Sequence, residues 1–397
     1  MDEETEEEVI AERDAAGEKP ADRPAKPARR KVRDRFPVFW SRELQFSLAL
    51  VGIVLLAEFV FNVSGGALFI IGAIALIPLA ALLGKATEEL ALHAGPGMGG
   101  LLNATFGNAA ELILAIIFLL TPETATFTME KKVLLVEASI IGSILGNMLF
   151  ILGLSFLVGG LKHKVQKFNR QSAAVQLSML MIAGVALALP AILKYAPGLP
   201  AVDLGRVSQI VAVILMATYL LGLLFSFRTH KDIFNPVAEA HEKPEWSTRL
   251  ALLVLLGTTA LVALMAETIV GETEHMVAEF GIHEVFLGVV IIATVGNAAE
   301  HATALIFAWK NDLTLAVEIC ASSSTQVALF LAPVLVFVGV LVGVPLSLVF
   351  PPVLVGALIL SIVIVNMIVA DGEANWFEGV QLLSIYAIIA AFLFLVP

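Results

Sequence analysis

One pentapeptide occurs twice, as Gly107-Asn108-Ala109-Ala110-Glu111 and as Gly296-Asn297-Ala298-Ala299-Glu300. Each copy sits inside a long apolar run, where a carboxylate at mid-bilayer depth costs ~2.5–3.5 kcal/mol on insertion scales. Asn and Glu in each copy are three apart, so on a helix they share one face. The small residues around them permit close helix approach, and the glycine lets the backbone loosen. Carboxylates, amide oxygens and the freed carbonyls of Gly107 and Gly296 make an all-oxygen set. That set suits a hard cation such as calcium, which takes about 6–8 oxygen ligands. Two negative charges balance a divalent ion.

Further polar groups follow each motif at similar distances. Ser143 and Asn147 are four apart in Gly142-Ser143-Ile144-Leu145-Gly146-Asn147, and Ser323 and Gln326 are three apart in Ser322-Ser323-Ser324-Thr325-Gln326. Interhelical bonding by such residues is worth only ~0.6 kcal/mol each, and it is the plainer reading of the serines. No such reading accounts for two matched glutamates. His301, directly after Glu300, reads as a site-supporting or titrating group, or as a packed histidine. Glu88 (with Glu89) and Glu267 fall where opposite entrances to a central site would open, and read equally as proton or cation relays or as solvated helix ends. Glu137 lies just inside the fourth apolar run, and Glu318 matches it if one residue is skipped.

The elements that must position these groups are transmembrane helices. Hydrophobic residues make up 58% of the chain and charged residues 15%, against about a quarter charged in soluble domains. Runs near 46–64, 66–90, 98–120, 132–159, 172–194, 207–227, 248–271, 284–309, 313–343, 347–370 and 376–396 are long enough to cross ~30 Å of hydrocarbon. The ninth contains Pro333 and is expected to bend or break. Residues 1–42, acidic first and then rich in Pro, Ala, Lys and Arg, read as a disordered tail. Its basic end faces anionic lipid or merely sets orientation.

Loop charges fix a direction. With the N-terminus cytoplasmic, the inner loops carry Lys85, Lys162, Lys164, Lys167, Arg170, Arg228, Lys231, Lys243, Arg249 and Lys310. The outer loops carry Lys131, Lys132, Lys194 and Arg206, as the positive-inside rule requires. The outer loop after the seventh run is expected to carry Glu272, Glu274, Glu279 and Glu284.

A shift of 189 residues lays the first motif on the second, and a shift of 180 lays Ser143 on Ser323 and Phe150 on Phe330. The fold class is therefore an all-α polytopic membrane protein of eleven helices: one extra N-terminal helix (43–65) and two five-helix repeats (66–227 and 248–397). An odd number of spans per repeat makes the repeats inverted, a plan common among secondary transporters. A cytoplasmic linker spans 228–247.

On these residues the chain resembles the calcium/proton exchangers of the calcium/cation antiporter superfamily. The resemblance is carried by the twin motifs, by His301, by Gly142-Ser143-Ile144-Leu145 and by Ser323-Ser324-Thr325-Gln326-Val327-Ala328-Leu329-Phe330, and covers about residues 46–397. It implies exchange of cytosolic Ca2+ for H+, with Glu111 and Glu300 as calcium ligands helped by Asn108, Asn297, Ser143 and Gln326. Glu88 and Glu267 match acids near the access routes, whereas Glu137 stands where the family would place an uncharged residue. Sodium/calcium exchangers carry a Pro before the motif glutamate and an acid on the later serine helix. Ala110, Ala299 and Gln326-Val327 stand here instead, which argues against sodium as counter-ion.

Alternating access at one two-glutamate site follows, with protons and calcium competing for the same carboxylates. A broader cation/proton antiporter for Na+, K+ or Mn2+ is the alternative within transporters, and a channel is one outside them. An intramembrane metalloenzyme lacks its motif, since no His-Glu-x-x-His occurs. The expected partners are Ca2+, H+ and the lipid bilayer, with no resident cofactor and no nucleic acid, and a homo-oligomer is open. The default residence is a bacterial inner membrane.

Overall fold

The computed structural model describes residues 42–94, 99, 102, 105–195, 202–230, 233, 244–344 and 346–395. Nearly all of the 1–42 tail and most of the 228–247 linker lie outside the described residues.

The helices are α1 (Arg42–Phe59), α2 (Gly66–Ala94), α3 (Ala109–Leu120), α4 (Met129–His163), α5 (Arg170–Tyr195), α6 (Leu204–Thr229), α7 (Thr248–Phe280), α8 (Glu284–Gly296), α9 (Ala298–Trp309), α10 (Leu313–Val342), α11 (Pro352–Asp371) and α12 (Trp376–Leu395). Among the described residues, eight are long and apolar enough to cross a membrane. The bent pair α8–α9 makes a ninth if it counts as one span. Helix α3, 12 residues long, is shorter.

Local signals set the helix ends. Asp203, Ser247 and Asp312 each accept a backbone N–H from the residue three positions on, at the starts of α6, α7 and α10. Gly281 and Gly343 end α7 and α10 in the left-handed conformation that glycine adopts without strain. Within spans, hydroxyls such as Thr87, Thr273 and Ser324 bond the carbonyl four residues back, which satisfies these groups inside their own helix.

Helices meet where side chains are smallest. A Cβ at Gly142 would run into the Val289 backbone, and one at Gly288 would lie 2.7 Å from Leu135 O, so α4 and α8 touch almost main chain to main chain. Gly153 and Gly379 do the same for α4 and α12.

Three expectations need correction. The fold is not wholly helical, because β1 (Val165–Lys167) pairs antiparallel with β2 (Glu373–Asn375). Pro333 does not break its span: a π-helical turn at Val327–Leu331 precedes it, and α10 runs on from Leu313 to Val342. The break falls instead in the preceding pair, where α8 and α9 meet at 65°. Finally, Glu272, Glu274 and Glu279 lie on the last turns of α7 rather than in a loop. There Glu272 and Glu279 accept the N–H groups of Gly65 and Gly66 at 2.6 and 2.8 Å. A Cβ at Gly66 would strike the Phe280 ring, so only glycine fits this junction.

Candidate functional site

Both asparagines of the repeated motif stand outside regular helix. Asn108 (φ −100°, ψ 27°) immediately precedes α3, and Asn297 (φ −94°, ψ 6°) separates α8 from α9. These are bridge-region conformations, sparsely populated and frequent at functional sites. Neither side chain caps the helix it precedes, so both amides are free to bond elsewhere. Glu111 and Glu300 then occupy the first turns of α3 and α9, where helix dipoles favour negative charge.

The amides reach across to the serine-bearing helices. Asn297 Nδ2 donates to Ser143 Oγ on α4 at 3.0 Å and to Ala293 O at 2.8 Å. In the counterpart contact, Ser323 Oγ on α10 donates to Asn108 Oδ1 at 3.4 Å, and Asn108 Nδ2 donates to Gln326 Oε1 at 2.8 Å. Asn147 Nδ2 donates to Ser323 Oγ at 2.9 Å, and its Oδ1 pairs with His301 Nε2 at 3.1 Å. Since that oxygen can only accept, His301 carries its proton on Nε2. All of these groups except Gln326 are buried.

The two glutamates meet at this network. Gly296 lies so close to Glu111 that an added Cβ would sit 2.8 Å from Glu111 Cγ. Glu111 lies beside Asn297 and within electrostatic reach of Glu300, and Glu300 lies beside Ser323. A small cavity at Glu111 is lined also by Ala115, Ser139, Ile140, Ser143 and Val327.

Three oxygens at this centre are buried without a hydrogen-bond partner: Glu111 Oε1, Asn297 Oδ1 and Glu300 Oε2. Buried acceptors in native proteins are almost always satisfied. Acceptors that the protein leaves bare, two of them on carboxylates, are what a cation or a proton would take. Among the described residues no group of three or more His, Cys, Asp or Glu is placed to hold a metal. Any cation here would therefore rest on two carboxylates plus neutral oxygens, the chemistry of hard ions.

The structure thus gathers Glu111, Glu300, Asn108, Asn297, Ser143, Ser323, Gln326, Asn147, His301 and Gly296. Glu88 and Glu267 are exposed on α2 and α7. Glu137 is buried on α4 and feels Lys194 rather than the glutamate pair. Ser139 escaped the sequence reading, as did the ties made by Glu89, which that reading named only beside Glu88. Ser139, one turn before Ser143, lines the cavity. Glu89 is buried and accepts the Trp246 N–H at 2.9 Å, while His93 bonds Trp246 O at 2.8 Å and Lys85 lies over its ring. The spacing of Lys85, Glu89 and His93, on one helical face, was the available signal.

Comparison with known proteins bears on this arrangement. The family described as "sodium/calcium exchanger protein" matches residues 64–228 and 250–395. The chain is 41% identical over 339 residues to the Ca(2+)/H(+) antiporter ChaA of Bacillus subtilis, covering 83% of this chain and 92% of that protein. It is 40% identical over 347 residues to a Ca(2+)/H(+) antiporter of Synechocystis, covering 83% and 91%. The solved structure of native YfkE superposes with a TM-score of 0.75 at 35% identity, covering 89% of this chain and 100% of that one.

Proposed function

Because the chain belongs to the sodium/calcium exchanger protein family, we propose that it exchanges Ca2+ for H+ at a centre formed by Glu111 and Glu300. It is a multi-pass membrane transporter rather than an enzyme; Ca2+ and H+ are its substrates, and no cofactor is involved. The observation that carries the site is the trio of buried, unpartnered oxygens on Glu111, Asn297 and Glu300. Calcium would hold both carboxylates ionised, with Asn297 Oδ1 ready beside them. Asn108, Gln326 and Ser143 and the carbonyls of Gly107 and Gly296 would complete the shell. Without the metal, two like charges in a poorly solvated cavity repel, and protons relieve them as a coupled pair. Either ligand neutralises the centre, which permits one half to rock against the other.

We read the chain as eleven spans in two inverted repeats (66–227 and 248–397) after an extra helix (43–65), with 228–247 as a cytoplasmic linker. Contacts between connections support this count. Trp309 O receives Lys162 and pairs with His163, Gln166 bonds Asn311, and β1 pairs with β2. The count puts all of these on the inner side. Gly65 with Glu272, Thr124 with Glu274, Lys131 with Glu284 and Leu348 with Ser208 fall on the outer side. Among the described residues, each of these pairings joins connections on one side only. The N-terminus would be cytoplasmic and the residence a bacterial inner membrane.

The test is Ca2+ uptake into proteoliposomes under an imposed pH gradient, repeated with Na+, K+ and Mn2+ and with a protonophore. Uptake of Ca2+ that the protonophore abolishes supports the reading. Calcium flux that ignores the gradient sinks it.

A further inference from the structure

The glutamate pair leaves two other intramembrane acids unexplained. Glu318 sits on α10 and Glu137 on α4, the two helices that also supply Ser323 and Ser143 to the centre. Glu318 lies five residues before Ser323 and Glu137 six before Ser143. Neither points the way its serine does. On a helix of 3.6 residues per turn, Glu318 and Thr325 share one face, roughly 140° from Ser323. That face meets α5: Thr325 Oγ1 donates to Gln176 O at 3.3 Å, and Glu318 lies beside Ser172. Glu137 is likewise roughly 120° from Ser143, and the charged group that acts on it is Lys194, at the other end of α5.

Both acids are poorly provided for. Glu318 Oε1 and the neighbouring Ser172 Oγ are buried without a hydrogen-bond partner, and the other charge acting on Glu318 is Asp312, of like sign. Glu137 is 6% exposed and makes no ion pair among the described residues. Ser172 beside Glu318 and the charge of Lys194 acting on Glu137 are the only compensation that reaches either acid from these neighbours, and a carboxyl group so thinly served is cheapest to bury neutral. In depth, Glu318 is about 8 Å from the start of α10 and Glu137 about 12 Å from the start of α4. Under the inverted-repeat reading these starts lie on opposite sides of the membrane, so each acid stands between one surface and the centre.

We infer that Glu318 and Glu137 are a second pair of proton-binding sites, distinct from the cation centre, which pass protons between the centre and the inner and outer solutions respectively. Each carboxylate forms an O–H bond as the O–H bond of a hydronium ion or of a protonated glutamate at the centre breaks, and the reverse transfer releases the proton on the other side. The donor is left as water or as the ionised glutamate, and the protons carried are those exchanged for calcium. The inference rests on the Ca2+/H+ reading above. Its distinguishing content is that protons and calcium share the centre but not the whole route.

The experiment compares two modes of the reconstituted full chain: proton-driven Ca2+ uptake, and isotopic Ca2+/Ca2+ exchange without a pH gradient. Glu318→Gln and Glu137→Gln should each slow proton-driven uptake tenfold or more while leaving Ca2+/Ca2+ exchange within twofold. Glu318→Gln should flatten the dependence on inner pH, and Glu137→Gln that on outer pH. Glu318→Asp and Glu137→Asp, which keep the proton-binding group, should stay within a few-fold of the parent. The proposal is overturned if the Gln variants leave both modes unchanged or depress both equally, or if the Asp variants are as slow as the Gln variants. Should the parent protein show no proton-driven Ca2+ uptake at all, the Ca2+/H+ reading fails instead.

Discussion

Asn108 and Asn297 occupy equivalent places in the two motifs and are bonded in opposite senses. Asn297 donates its amide nitrogen to Ser143 and Ala293, which leaves Oδ1 bare. Asn108 accepts from Ser323 through Oδ1 and donates to Gln326, so both ends of its amide are used. On the proposed reading, one side presents an oxygen to an incoming cation at once. The other must first release Ser323. The asymmetry traces to residues without counterparts in the other half: Gln326 falls opposite Gly146, and Asn147 opposite Val327, at the 180-residue shift. A nearly symmetric frame thus holds a site with one prepared flank and one tied flank.

The sharpest way to break this comparison is to remove a carboxylate from either flank. Glu111→Gln and Glu300→Gln should each abolish proton-driven calcium transport, because both charges are needed whichever flank engages first. Removing one partner of a buried charge pair costs about 3–5 kcal/mol, which corresponds to roughly 100-fold or more in affinity. Calcium binding by calorimetry and uptake by the same protein would report it. A large loss in only one variant would mean that the second glutamate is not a ligand.

Glycine 296 offers a steric version of the same test. Its missing Cβ is what lets Glu111 approach, so Gly296→Ala should push the carboxylate away and cut transport about tenfold, at the ~1–3 kcal/mol typical of overpacking. Gly146→Ala is the control, since a Cβ there meets nothing within 4 Å. Equal behaviour of the two variants in transport and thermal stability would remove Gly296 from the site.

The amides sharpen the comparison further. Asn297→Ala deletes a bare oxygen beside Glu111, whereas Gln326→Ala deletes one already occupied by Asn108. Asn297→Ala should weaken calcium binding by about 1–3 kcal/mol, and Gln326→Ala by less, because Asn108 gains freedom when Gln326 is lost. A reversed order would show that the tied flank binds first.

How much of this could be read without coordinates differs by element. The twin motifs, their pairing and the serine helices were legible because an acid within an apolar run is costly and must be explained by a partner. The long apolar helices were legible from apolar length, though α7 runs on to Phe280 and the run at 98–120 holds the 12-residue α3; α8–α9 breaks beside the glycine where the motif predicted looseness. Four features were not legible. Pro333 looked like a breaker, yet a π-helical turn costs only one shifted hydrogen bond and is invisible in composition. The acids at the end of α7 looked like a loop, because helix continues past the membrane surface without an apolar signature. The β1–β2 pair is three residues on each side, too short for any alternation to register. Orientation of the Asn108 and Asn297 amides depends on neighbours from the other half of the chain and has no local signal.

The smallest effects lie in that short sheet, which belongs to the frame and not to the flanks. Gln166 is buried and donates to Ala308 O at 3.0 Å and Asn311 Oδ1 at 2.9 Å, tying β1 to the end of α9. Gln166→Ala strands those acceptors and should destabilise by about 1–3 kcal/mol. Its neighbour Lys167 pairs with Glu373 at 2.9 Å but is wide open to solvent. The hydrogen bond to Glu373 raises the Lys167 ammonium above its ordinary value, with the charge of Glu373 adding to it. A raised folded-state value means that the pairing is fully present below the unfolded lysine value and fades only as pH climbs through the folded one. Both lie in the alkaline range, so across neutral pH the pair contributes no pH dependence. Lys167→Ala should leave the melting temperature within measurement error and independent of pH between about 6 and 9. Were Lys167→Ala as damaging as Gln166→Ala, the strand would be held by its exposed charge and not by its buried amide. The rigid frame assumed for the two flanks would then lose its anchor at this surface.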